Sequence, residues 1–274
     1  MSSRRGFTLI ESLVAVVLLA IVGQAILRLL TVSQRLFRAQ SERAALHATV
    51  RAGASLLPAE LRELGPGDIV SLAPDRLLYR AMRSAGVACA VNAVDVHLRR
   101  DLLYGYRSIA PTRDSLLLFV EHDPSTATDD AWEVLPVSGA PGAGVCPDGG
   151  AAVVVPSVVP AATVGAATLD APIRSFELIE ERLYQSGGQY WLGSRSASGG
   201  ETTVQPVIGP LTADGILLRY LNGAGSPTSL PSEVRLIGLT VHGTSDGPIV
   251  APGALGPAVV TESLTADIEL RNVQ

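Results

Sequence analysis

Lysine is absent from this 274-residue chain: all 21 of its basic side chains are arginine. The chain is also rich in Ala, Gly and Pro, the composition of a GC-rich coding sequence, and the absence carries no functional weight. Aromatic residues make up only 4%, which leaves little with which to stack the bases of a nucleic acid. The two cysteines, Cys89 and Cys146, belong to no Cys-x-x-Cys metal or redox motif. Several catalytic signatures are missing as well. There is no His-Glu-x-x-His, no phosphate loop and no Gly-x-Gly-x-x-Gly. The four histidines, His47, His97, His122 and His242, are scattered. An enzyme with a small-molecule substrate is not expected. No repeat of roughly 20–50 residues recurs, which argues against a solenoid.

What the chain does have is one long apolar run near its start, with a single carboxylate in it. From Phe7 to Leu30 there are about two dozen residues, about 36 Å as a helix, enough to cross a hydrocarbon core of ~30 Å. Glu11 lies inside that run. A carboxylate there costs on the order of 2.5–3.5 kcal/mol on insertion scales, so it marks a functional position. Arg4 and Arg5 precede the run and are expected to hold that end in the cytoplasm. A secretory signal would place small residues after the apolar region; here the run continues into a long amphipathic segment, and Gly6 stands before it.

The stretch Gly6-Phe7-Thr8-Leu9-Ile10-Glu11 resembles the N-terminal cleavage and methylation motif of type IV prepilins and type II secretion pseudopilins. The resemblance implies cleavage between Gly6 and Phe7 by a prepilin peptidase, N-methylation of Phe7, and a filament in which Glu11 faces the charged amino terminus of a neighbouring subunit. Breaking such a buried pair leaves one uncompensated charge, a loss of roughly 3–5 kcal/mol. Length and layout look most like PilW-type minor pilins or J-type minor pseudopilins. The passage from Leu192 through Gln205–Leu211 to Leu221 is loosely similar to the carboxy-terminal region of PilW-like proteins. The implied function is assembly or priming of a type IV pilus-like filament near its tip; the alternative is a minor pseudopilin of type II secretion. The implied partners are other pilin or pseudopilin subunits, the processing peptidase and methyltransferase, and the lipid of a bacterial inner membrane crossed once before assembly into the filament.

Charge is unevenly spread. Through Arg113 there are 15 arginines against 8 acids, and beyond it 6 against 18, a polarity that suits contact between subunits. Arg99, Arg100 and Arg107 are the one modest basic cluster, so nucleic acid is not an expected partner. In an oxidising space Cys89 and Cys146 are expected to pair, closing a loop whose restriction stabilises by about 4 kcal/mol in chain-entropy terms. No cofactor is expected. The segment Glu121–Asp130 concentrates oxygen ligands, with Asp123, Asp129 and Asp130 as calcium candidates, but it lacks the central Gly and terminal Glu of an EF-hand loop and reads more readily as a solvated connection.

After the span the helical period persists. Leu29, Val32, Leu36, Ala39, Leu46, Val50, Gly53, Leu57, Leu61 and Leu64 recur at steps of three and four. The spacing predicts one helix from Phe7 towards Leu64, with Pro58 kinking it or starting a second short helix and Gly65-Pro66-Gly67 ending it. Short β-like runs follow: Arg76–Arg80, Val94–Leu98, Ser115–Glu121, Trp132–Val137, a hairpin of Phe176–Tyr184 and Tyr190–Leu192, then Gly215–Leu221, Glu233–His242 and Glu262–Leu270. Ser138–Gly150 and Gly243–Gly256 read as loops. The expected fold is α+β and pilin-like, a long N-terminal transmembrane helix packed on an antiparallel β-rich globular domain. Its parts are a leader (1–6), a transmembrane half-helix (7–30), an amphipathic half-helix (31–64) and a β domain (65–274) large enough for an elaborated or two-part sheet.

Overall fold

The computed structural model describes residues 8–123, 125–126, 128–250 and 256–271. Helix α1 spans Leu9–Leu61, about 80 Å at 1.5 Å per residue. It carries an apolar window long enough to cross a membrane, none of which is buried in the protein. Pro58 does not divide it. The ring sits in the last turn, where the missing N–H interrupts one bond, and the Pro58 carbonyl still accepts from Arg62 N at 3.1 Å. No second helix starts there.

The strands follow in order. They are β1 (Ile69–Ala73), β2 (Arg76–Val91), β3 (Asp95–Arg99), β4 (Tyr104–Gly105), β5 (Asp114–Val120), β6 (Ala131–Pro136), β7 (Gly142–Val145) and β8 (Ala151–Pro156). After a short helix α2 (Ala161–Ala166) come β9 (Ala171–Ser186), β10 (Gln189–Ser196), β11 (Gln205–Leu221), β12 (Leu236–Thr244), β13 (Ile249–Val250), β14 (Pro257–Ala258) and β15 (Thr261–Glu269). All pairings are antiparallel, and all strands except the β13–β14 pair join one continuous sheet. This is the α+β, pilin-like layout that the N-terminal resemblance implies.

Two strands organise the sheet. β2 and β9 pair from Arg76↔Arg182 to Ala88↔Ala171. On the outer side of β9, β10 takes residues 179–186 and β5 takes residues 173–177. One half continues through β10, β11 and β12 to β15. The other half runs β9–β5–β6 on one side and β2–β3–β8 on the other. A bridge between Val137 and Ser157 joins the far ends, making that half a closed ring. Each half has its own core. The first lies under α1 and contains Leu57, Leu61, Leu77, Tyr79, Leu218, Leu239 and Ile268. The second fills the ring with Val96, Leu98, Leu116, Leu118, Leu135, Val155 and Ile173.

The helix reaches its sheet through one stripe. Leu46, Val50, Gly53, Leu57 and Leu61 are buried, whereas Leu29, Val32 and Leu36 of the same stripe are exposed. Burying each large apolar side chain contributes up to about 1.5–3 kcal/mol, so the anchorage of the helix rests on its last four turns. Contact is close at Gly243 of β12, where an added Cβ would lie 2.5 Å from Val50 Cγ2 and 2.7 Å from Leu46 Cδ1. Val50 is β-branched and stiff in a helix. Gly243→Ala is therefore expected to lift α1 and destabilise the fold by about 1–3 kcal/mol, read as a lower thermal midpoint. An unchanged midpoint would mean that the helix shifts freely over the sheet.

Three segments differ from the sequence reading. Ser138–Gly150 is not wholly a loop, because Gly142–Val145 forms β7 against β8. Its small residues carry no strand propensity of their own. Gly243–Gly256 likewise holds β13. In β15 the apolar alternation is only half realised, with Ile268 buried but Leu264 41% exposed. The Tyr190 hairpin turns on Gly187 and Gly188, at φ 61° and 82°, a left-handed pair that glycine adopts without strain.

Candidate functional site

Gly6 and Phe7, the expected cleavage and methylation residues, lie outside the described residues. Glu11 sits on the first turn of α1 in a reciprocal cap with Thr8. Thr8 N–H and its hydroxyl each donate to Glu11 Oε2 at 3.0 Å, and Glu11 N–H donates to Thr8 Oγ1 at 3.3 Å. This capping box satisfies donors that a helix start leaves unpaired. The Thr-x-x-Glu spacing was available in the sequence as a helix-start signal beside its motif reading. Thus Glu11 has a local role in a single chain, and its carboxylate remains exposed at the apolar end of the molecule.

The exposed surface of α1 divides by chemistry. From Leu9 to Leu30 it is apolar but for Glu11, Ser12, Gln24 and Arg28. Beyond Leu30 lie Arg35, Arg38, Arg43 and Arg51, with Glu42 the one acid before Glu60. Among the described residues none of these five guanidiniums has an ion-pair partner.

The arginines of the β region are placed differently. Arg99, read as part of a basic cluster, pairs with Asp148 at 2.7 Å and Asp170 at 2.8 Å. Arg107 holds Asp114 through two parallel bonds of 2.6 and 2.7 Å, and its Nη2 also reaches Glu177 at 2.9 Å. These two arginines are consumed internally and present no free phosphate-binding stripe. The Asp114 side chain is fully buried, and it accepts a further bond from Ala110 N–H at 2.8 Å. Glu177 also accepts from Arg83 Nε at 3.0 Å and from the Ser196 hydroxyl. Burial works against its ionisation, but Ser196, Arg107 and Arg83 outweigh that and hold the carboxyl below its usual range. The network sits where β5 and β10 part along β9, between the two cores. Sequence reasoning missed it, because its members are spread from Arg83 to Ser196 and meet only through strand pairing.

A second buried carboxyl, Glu181, faces the core beneath α1. It is 7% exposed, and neither its Oε2 nor the buried Tyr79 hydroxyl has a hydrogen-bond partner. Burial pushes Glu181 up to about 8, opposed by Ser194 and reinforced by Glu60. The folded chain therefore holds a proton that the unfolded chain releases. That contribution to stability is complete below about pH 4.5 and is lost as pH rises through about 8. Glu181→Gln is expected to flatten the dependence and to raise stability above pH 8 by at least about 1.4 kcal/mol, the equivalent of one unit. Denaturant titrations at pH 5 and pH 9 measure both effects, and parallel pH dependence in the two proteins would count against a protonated Glu181.

Cys89 and Cys146 are joined in a disulfide, with Cα atoms 5.7 Å apart, and pack with Ala152 in a small buried cluster. The calcium candidates do not converge. Asp123 accepts from Ser125 N–H and hydroxyl at 2.9 and 2.7 Å, and no three His, Cys, Asp or Glu side chains form a metal-holding group among the described residues. Three of the histidines contact single partners of their own. His47 contacts Glu262 at 2.7 Å, His97 contacts Asp95 at 3.0 Å, and His242 contacts Ser263 at 2.6 Å. The groove between the end of α1 and β2, lined by Leu56, Glu60, Glu63, Arg83 and Tyr106 among others, contains no histidine.

A family model for the prokaryotic N-terminal methylation motif matches residues 1–23. That match supports a protein of the prepilin or pseudopilin type. No curated protein and no solved structure matches the chain.

Proposed function

We propose that this chain, which carries a prepilin-type N-terminal methylation motif, is a minor subunit of a type IV pilus-like filament and acts in assembly or priming near the tip. The observation that carries the reading is continuity. The motif at residues 1–23 runs directly into an unbroken helix, of which only the last turns are used by the molecule's own β region. A helix left exposed for two-thirds of its length needs lipid before assembly and neighbouring helices after it. In this reading Gly6–Phe7 is the cleaved bond, Phe7 is methylated, and the mature helix moves from the inner membrane into a filament core. Glu11 is then offered to a neighbour's amino terminus, and the β region faces outward and selects partners. The disulfide suits an extracytoplasmic β region. The work is assembly and includes no chemical turnover.

Deletion of the gene tests this, scored by surface filaments in electron micrographs and by proteins released into the medium. Loss of filaments with normal release is expected. Intact filaments with exoproteins trapped in the periplasm would instead make the chain a minor pseudopilin of type II secretion.

A further inference from the structure

We propose that Arg28, Arg35 and Arg38 form a surface for anionic phospholipid headgroups at the end of the membrane span nearest the β region. The inference rests on the membrane-stored state in the reading above and on no later step of assembly.

Three observations converge on this surface. The first is position. If the hydrocarbon ends at Leu30, Arg35 lies about 8 Å and Arg38 about 12 Å beyond it along the helix. The headgroup layer is about 5–8 Å deep on each side, and arginine stems bend back to an interface. Arg28, just inside the end of the run, reaches the same layer from below. Arg43 and Arg51 lie about 20 and 32 Å beyond, out of reach.

The second is geometry. At about 100° per residue, Arg28, Arg35 and Arg38 fall within an arc of about 80°, so one face of the helix presents all three. All are exposed. Glu42 lies on that face one turn beyond Arg38, yet the two form no ion pair.

The third is the charge balance across the span. Arg4 and Arg5 precede it, and Arg28, Arg35, Arg38 and Arg43 flank its other end. Arginine on the translocated side opposes the bias that orients single spans, so arginines kept there need a counterpart there. Headgroup phosphates match planar guanidinium forks through paired bonds. They are the one anion that the span itself brings to this level of the helix.

The test uses the full chain in nanodiscs made from equal parts phosphatidylcholine and phosphatidylglycerol. Native mass spectrometry counts the lipids that remain bound after release. Phosphatidylglycerol is expected at about fivefold or more above its bulk ratio, the effect of even one fully engaged arginine near an anionic surface. The R28Q/R35Q/R38Q variant should fall to the bulk ratio, and replacing the same three residues by lysine should keep much of the enrichment. R43Q/R51Q should match the parent. A bulk ratio in the parent, or equal loss in R43Q/R51Q, would overturn the proposal. A bulk ratio together with dimers would assign these arginines to the carboxylates of a second copy. No filament is needed for the measurement, so its failure leaves the assembly reading standing, and failure of the deletion test leaves the lipid result intact.

Discussion

Glu11→Gln is expected to abolish incorporation into filaments while leaving cleavage after Gly6 intact. Glutamine serves in a capping box as glutamate does, so the bonds between Thr8 and residue 11 survive and the helix start is preserved. What is lost is the charge. In a dry filament core the neighbour's amino terminus would then be buried without its partner, a loss of about 3–5 kcal/mol, more than a hundredfold in the assembly equilibrium. Glu11→Ala removes cap and charge together and should assemble no better than the glutamine variant. Immunoblots of sheared filaments beside processed membrane-bound subunit separate the two steps. If the glutamine variant assembles normally and the alanine variant does not, the carboxylate acts through the cap, and the charge-pairing account is wrong.

The second large effect concerns the seam between the cores. Arg107→Ala leaves Asp114 fully buried with the Ala110 N–H as its remaining polar contact, and removes one of the guanidiniums that hold Glu177. An uncompensated buried carboxylate costs about 3–5 kcal/mol, enough to threaten the whole stability of an ordinary domain. Arg107→Lys keeps the charge but cannot form the two parallel bonds to Asp114, and should lose an intermediate amount. Urea midpoints of the parent and the two variants read these losses directly. A loss below about 1 kcal/mol, typical of exposed pairs, would show that water reaches Asp114.

The long helix was legible because its signals are local and additive: a continuous apolar run, a stripe at steps of three and four, and a Gly-Pro-Gly stop. Its split into a docked and an undocked part was also readable, although the stripe itself does not change at Leu46; the boundary is set by where β12 and β15 lie against it. Strands with one wet face announced themselves by alternation. In the ring β3 did so too, with Val96 and Leu98 buried, but β5 did not. Leu116, Leu117 and Leu118 are all buried because both faces of β5 are covered, which erases the period of two. β7, at Gly142–Val145, exists only because β8 offers it an edge. The polar seam was invisible for a different reason: Arg83, Arg107, Asp114 and Glu177 have no sequence relationship, and only the shared pairing of β9 with β2 and β5 makes them neighbours. The Thr8–Glu11 cap, by contrast, was in plain view, masked by a more specific meaning of the same letters.

The two sixteen-residue strands common to both halves of the sheet act mechanically as a pair of spars, each about 53 Å long. A hinge needs a stretch of chain crossed by few contacts, and here the crossing is made by two continuous strands bonded to one another along twelve residue pairs. A tug on the ring would pass through that ladder as shear, loading many backbone bonds together, before reaching the patch where the helix is seated. Under tension the region should behave as one stiff body. The weakest joint in the chain of force would then be the seat of the helix on Gly243 and its neighbours, well away from the boundary between the two cores.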